Sequence, residues 1–248
     1  MRLFAAFFFF VGGAASALDI FVFSPESKAG QVQSAQASLE KFLKGEGVPA
    51  KVHIFANAVD FDAAAPRVKP EFAIVSSYYQ AAAAKDYQWK ILLSGHLNGD
   101  EFFRKILMVQ NAIGKNADLR DKAIAVTSFG SATNIYVRDQ FLQPIGLGAA
   151  NIRLVTISKD IDGLMALAVG QVAGAIVTQD SINRLKAINA SAFGGMKELR
   201  KLPPIAFPKL VAFPNAADAV KMKNIFRKAA ASPEAGDFLR FLGMTGFQ

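Results

Sequence analysis

Residues 123–142 read AIAVTSFGSATNIYVRDQFL. An apolar, β-rich run (123–127) ends abruptly, small polar residues follow, and a helical pattern occupies 131–142. Read alone, this is a strand, a turn and a helix with a Ser or Thr cap, the commonest meaning of such residues before a helix. A second meaning depends on context. In an open α/β sheet ligands gather beyond the carboxyl ends of the strands. A helix starting there aims unpaired backbone N–H groups at that space.

The same unit recurs on both sides. Downstream, RLVTIS (153–158) reads as a strand and DIDGLMALAVG (160–170) as a helix. AGAIVT (173–178) is a further strand, with a helix from QDSINRLKAI. Upstream, LDIFVF (18–23) is a strand, and Val32, Ala35, Leu39, Phe42 and Leu43 follow at helical spacing. KVHIFA (51–56) alternates like a strand, EFAIV (71–75) is a short buried one, and SSYYQAAAAKD begins a helix with a Ser cap. WKILLSG and FFRKILMVQ look like two more strands, and the tail offers KLVAF and two helices, ADAVKMKNIFRKAA and PEAGDFLRFLG.

Repeated strand–helix units imply an α/β fold with mainly parallel sheets flanked by helices. Two runs imply two lobes with a cleft between them, crossed near 99–110 and 187–210. The expected division is residues 18–98 plus 206–248 for lobe 1, and 99–205 for an inserted lobe 2 with hinge crossings. The C-terminal helices return to lobe 1.

The start, MRLFAAFFFFVGGAASA, has one Arg, a short apolar run and Ala15-Ser16-Ala17. This is the pattern of a secretory signal, expected to be cut after Ala17 and to place the mature chain in the periplasm. The chain has 248 residues, 52% hydrophobic and 19% charged, which excludes disorder. With zero Cys, neither disulfides nor thiolate metal sites are available. The formal charge of +8 fits a soluble basic protein or attraction to anionic solutes. Nucleic acid is disfavoured by the export signal and the lack of dense Lys/Arg clusters.

Catalytic chemistry is poorly supplied. There are two His, no G-x-S-x-G elbow and no phosphate-binding glycine motif. His53 reads as structural, and His96 lies in a turn. The pairs Asp60/Asp62 and Asp160/Asp162 read as caps or solvated turns rather than metal ligands, since further ligands are missing nearby. No enzyme activity, cofactor or metal is expected.

Binding chemistry is better placed. Ser128, Ser131 and Thr133 offer hydroxyls in the opening turn, and Ala132 and Asn134 complete it. Ser77, Tyr78 and Tyr79 stand at a like junction in lobe 1, where tyrosines can close a cleft and donate through their hydroxyls. Ser24 marks a third junction, and Lys159 adds positive charge at a fourth.

In order, these junctions resemble the phosphate/phosphonate-type periplasmic solute-binding proteins of ABC transporters, with the type II periplasmic binding fold. VFSPES, EFAIVSSYYQAAAA, ADLRDKAIAVTSFGSATNIY, ISKDIDGLMALAVGQVAGAIV and LPPIAFPKLVAF match that family's pieces in sequence order, from about Leu18 to Phe247. The resemblance implies capture of a small oxyanion, phosphate-, phosphite- or phosphonate-like, and delivery to an inner-membrane permease by a monomeric receptor. The chain departs from the family's pattern in its turn residues Ala132 and Asn134, in Lys159 where a His is common, and in Ala173 where an Asp often holds an ammonium group. Phe129, Phe207, Pro208 and Phe213 motivate an alternative, a periplasmic carrier of an apolar ligand such as a lipid or sterol. A ligand-sensing subunit of a membrane sensor could use the same cleft.

Overall fold

The computed structural model describes residues 17–24, 29–127 and 133–248. The expected export segment lies outside these, apart from Ala17. Among the described residues no helix is long and apolar enough to cross a membrane.

The chain runs β1 (Leu18–Phe23), α1 (Ala29–Gly45), β2 (Ala50–Phe55), α2 (Ala58–Val68), β3 (Phe72–Val75), α3 (Ser77–Tyr87) and β4 (Lys90–His96). It continues with β5 (Phe102–Gln110), β6 (Ala123–Thr127), α4 (Thr133–Val137), β7 (Arg153–Ile157), α5 (Asp160–Ala168), β8 (Gly174–Thr178), α6 (Gln179–Ile188) and β9 (Met196–Ala206). β10 (Lys209–Ala212), α7 (Ala219–Arg227), α8 (Gly236–Phe241) and β11 (Gly246–Phe247) complete it.

The strands form two sheets, β2-β1-β3-β10-β4-β11 and β7-β6-β8-β5-β9. Both follow one plan. The first parallel strand sits between the second and third, and a strand from the opposite end of the run inserts beyond the third. β1 pairs in parallel with β2 and β3, as β6 does with β7 and β8. β10, β4, β11, β5 and β9 join antiparallel, so each sheet is mixed where mainly parallel sheets were expected. Of these, β5 and β10 each follow directly on a passage between the sheets, with no α-helix before them.

Each sheet is buried on both faces, which explains the near-continuous apolar runs in β1, β3, β6 and β8. One face of the first sheet packs Ile20, Val22 and Ile74 against Leu39 and Leu43 of α1, Phe226 of α7 and Phe238 of α8. Ser38 secures this packing: its hydroxyl donates to the Glu234 carbonyl (2.5 Å) and accepts from the Phe238 N–H (3.1 Å). The other face holds an aromatic core centred on Phe61, whose ring meets those of Phe21, Phe55, Tyr79 and Trp89 within 6.4 Å. In the second sheet, Leu107, Val126 and Ile176 pack toward Val137 and Phe141, while Ala125 and Val177 pack toward Leu164, Ile182 and Leu185. Each buried side chain of this size contributes about 1.5–3 kcal/mol.

The chain passes between sheets twice. The outward passage turns at 97–100, and the return runs through Phe207 and Pro208. Backbone bonds tie the two together, from Gly95 N–H to the Pro208 carbonyl (2.8 Å) and from Phe207 N–H to the Glu101 carbonyl (3.1 Å). Gly95 permits this approach, since a Cβ there would lie 2.7 Å from Met244 Sδ and 3.0 Å from the Pro208 oxygen.

The described part of the helix expected over 131–142 is irregular. α4 gives way to a π-helical turn, Arg138–Leu142, and then a 3-10 turn, Gln143–Ile145. Arg138 anchors this region by donating to Asn134 Oδ1 (3.0 Å), the Ala150 carbonyl (3.1 Å) and the Ile152 carbonyl (2.8 Å).

Candidate functional site

The lobes meet where strands end and helices begin. Tyr78, near the start of α3, leans across to Tyr136 of α4, with ring centroids 4.3 Å apart and planes at 54°. Tyr78 thus packs on the core of the second lobe. The carboxyl ends of β3 and β6 therefore face each other, and the space between lobes lies at those ends. Burial, then the nearby Asp139 carboxylate, pushes the Tyr78 phenol above its ordinary pKa. It stays a neutral donor through the physiological range.

Thr133, the first residue of α4, is buried three positions before Tyr136. Asn134 is exposed, and its side-chain carbonyl accepts from Arg138. Ser128, Ser131 and Ala132, expected in the ligand turn, lie outside the described residues, as does Phe129.

Several expected site residues have other partners. Tyr79 is corrected: it is buried in the aromatic core of lobe 1, 4.5 Å from the Phe23 ring, and its hydroxyl donates to Asp62. Helical geometry explains the split, because adjacent residues point about 100° apart around the axis. Tyr78 takes the cleft face and Tyr79 the core face. Asp62 is also more than a turn residue, since it accepts from the Tyr87 hydroxyl as well (2.6 Å). Burial and these bonds push both phenols well above the usual range.

Ser77 donates to the Ala206 carbonyl (2.7 Å), linking α3 to the last residue of β9 at the return passage. Ser24 is buried at the end of β1, its N–H bonded to the Phe55 carbonyl (2.9 Å). Lys159 is exposed before α5, and its N–H donates to Asp162 Oδ2 (3.1 Å). Asp162 is therefore a cap, as expected.

Asp160 is not a cap or a solvated turn residue. It is buried with Lys105 and Thr127 at the end of the second sheet that faces lobe 1. Lys105 Nζ donates to Thr127 Oγ1 (2.5 Å) and to Asp160 Oδ1 (3.1 Å), and Asp160 Oδ2 accepts from the Thr178 N–H (2.7 Å). Sequence reasoning missed this cluster. The available signal was a Lys immediately before the apolar ILMV of β5, since Lys is almost never fully buried unless paired.

Two further expectations change. Ala173 immediately precedes β8, whose other end, Thr178, faces the cleft. Thr178 lies five strand steps further on, about 16 Å away. The missing Asp at 173 thus removes nothing from the cleft. Phe207 and Phe213 are core residues, packed with Phe103 and with Trp89 respectively, so they do not line an apolar pocket between lobes. His53 is structural as expected, its Nε2 lying 2.6 Å from Asp19 Oδ1 on the neighbouring strand. Among the described residues no group of three His, Cys, Asp or Glu could hold a metal.

Solved structures with this arrangement are known. PhnD1 from Prochlorococcus marinus, in complex with methylphosphonate, has a TM-score of 0.68 at 10% identity, covering 93% of this chain and 91% of that one. XAC2383 from Xanthomonas citri, bound to chloride, has a TM-score of 0.65 at 14% identity, covering 93% and 90%. A binding protein component of an ABC phosphonate transporter from Pseudomonas aeruginosa has a TM-score of 0.62 at 18% identity, covering 93% and 80%. At these identities the likeness shows the shared two-lobed type II fold. A comparison with curated protein sequences gives no match. The model of one family, described as the phosphonate periplasmic substrate-binding protein of ABC transporters, matches residues 21–248, and the chain belongs to that family.

Proposed function

We propose that the protein captures a phosphonate-like oxyanion between its lobes and passes it unchanged to an inner-membrane permease. The observation that carries this reading is the Tyr78–Tyr136 contact across the lobes, one helical turn from the buried Thr133. In this reading Thr133 and the adjoining segment, with Ser128, Ser131, Ala132 and Asn134, face the anion from lobe 2. Tyr78 donates from lobe 1, and Ser24, Ser77 and Lys159 border the cleft.

Hydroxyl and amide donors suit an oxyanion because they meet its charge without adding a competing one. Lobe 1 comprises 18–98 and 206–248, lobe 2 comprises 99–205, and closure is a hinge motion at the two passages. The receptor works as a monomer in the periplasm after removal of residues 1–17.

Isothermal calorimetry of the mature protein with methylphosphonate, phosphite and phosphate tests this reading. Saturable binding of at least one at micromolar or tighter affinity is expected. Absence of binding across the panel overturns it.

A further inference from the structure

The outward passage at 97–100 is a built turn. Leu97 and Asp100 exchange both backbone bonds (2.9 and 3.0 Å), and the residues between them, Asn98 (φ 52°) and Gly99 (φ 93°), are both left-handed. This is the two-residue hairpin turn that Asn-Gly favours. Such a turn leaves the N–H groups of its two central residues without partners of its own. Here side chains from outside the turn meet both. Asn98 N–H donates to Thr245 Oγ1 (2.8 Å), and Gly99 N–H donates to His96 Nδ1 (3.2 Å). Thr245 is held in turn to His96, its N–H donating to the His96 carbonyl (2.8 Å). Gln248 Nε2 adds bonds to the Gly99 carbonyl (3.4 Å) and to Glu101 Oε1 (3.2 Å).

The His96 contact requires a neutral ring. Gly99 N–H needs the Nδ1 lone pair, so the ring proton sits on Nε2. An imidazolium carries protons on both nitrogens and offers Gly99 no acceptor in either ring orientation. The proton gained at Nδ1 faces the Gly99 N–H, donor against donor. Gly246 makes room for the ring, since a Cβ there would lie 2.9 Å from Nε2 and 3.2 Å from Cε1. The charged side chains on the elements packed around His96 are Asp100 and Glu101 in the passage, Lys90 at the far end of β4, Lys209 on β10, and Lys221, Lys223 and Arg227 on α7. Among the described residues none of these bonds the ring, and Lys209 donates instead to Ser94 Oγ (2.7 Å).

We propose that His96 is a proton-sensitive brace on the hinge. Neutral, it fixes the 97–100 turn in the arrangement in which Tyr78 meets Tyr136. Protonated, it releases the turn and lets the lobes part. Histidine is the side chain that ordinarily changes charge between pH 5 and 8, so mild acidification of the protein's surroundings opens the cleft. The inference rests on the hinge reading above and holds whichever ligand the cleft takes.

The test follows amide exchange at Gly99 by NMR, corrected for intrinsic exchange, with small-angle scattering in parallel. Wild type, H96N and H96L are compared at about pH 7.5 and about pH 5, either side of histidine titration. In H96N the Asn Oδ1 takes the place of Nδ1 and does not titrate, whereas Leu offers no acceptor. In wild type, acidification should lower Gly99 protection on the order of fivefold to tenfold, the size of one lost hydrogen bond, and raise the radius of gyration. H96N should keep the braced values at both pH values, and H96L should show the released values at both. Unchanged protection in wild type, or an equal fall in H96N, overturns the proposal alone. If H96N does not fold, H96L decides, because a fall on acidification as large as that of wild type overturns the proposal. Protection lost with no change of radius in any of the three proteins defeats both the proposal and the hinge at this passage.

Discussion

The ring of Tyr78 in lobe 1 rests 4.3 Å from the ring of Tyr136 in lobe 2. Contacts of this kind contribute about 0.5–1.5 kcal/mol beyond their buried area. Tyr78→Ala should therefore weaken oxyanion binding about threefold to tenfold through lost closure alone, and more if its hydroxyl reaches the ligand. Tyr78→Phe separates the two effects, because it keeps the ring and loses the donor. Calorimetry on both variants checks this. Wild-type affinity in Tyr78→Ala would remove Tyr78 from the site.

Its neighbour Tyr79 should behave in the opposite way. The bond to Asp62 lies inside lobe 1, so Tyr79→Phe should lower unfolding stability by about 0.5–1.5 kcal/mol and leave ligand affinity unchanged. Urea denaturation with and without ligand measures both quantities.

The same tyrosines set an alkaline limit. The folded protein holds the phenolic protons of Tyr79 and Tyr87 more tightly than the unfolded chain does, where tyrosine titrates near 10. Their contribution is complete below about pH 10 and is lost as pH rises above it. The urea midpoint should fall between pH 8 and pH 11, and it should fall less in the Tyr79→Phe/Tyr87→Phe double variant. An equal fall in both proteins would refute this source of alkaline loss.

At the passages between lobes, Gly95→Val should destabilise the protein by about 1–3 kcal/mol. The new side chain meets Met244 and the Pro208 carbonyl, and backbone there cannot give way. Thermal melting reads the loss directly.

Much of this architecture was legible in the sequence. The apolar runs of β1, β3, β6 and β8, with helical patterns between them, stood out because strands buried on both faces leave little ambiguity. α2 was not recognised, because the Asp60/Asp62 pair read as a cap or solvated turn, although Asn57 caps the helix by accepting from the Val59 N–H (2.9 Å). β9 was missed because Pro203 and Pro204 argue against a strand. It is an edge strand, where a missing N–H can be tolerated. For the site, which of Tyr78 and Tyr79 leans toward the second lobe depends on the rotation of α3, which the sequence does not fix. Lys105 was hidden because its partners, Thr127 and Asp160, lie 22 and 55 residues away in sequence.

The most direct test is a crystal structure of the mature protein grown with methylphosphonate. The account expects tetrahedral density between the lobes, within hydrogen-bond distance of Thr133 and bordered by Tyr78. Density for an elongated apolar molecule in that space, or a phosphonate bound away from Thr133 and Tyr78, would contradict it.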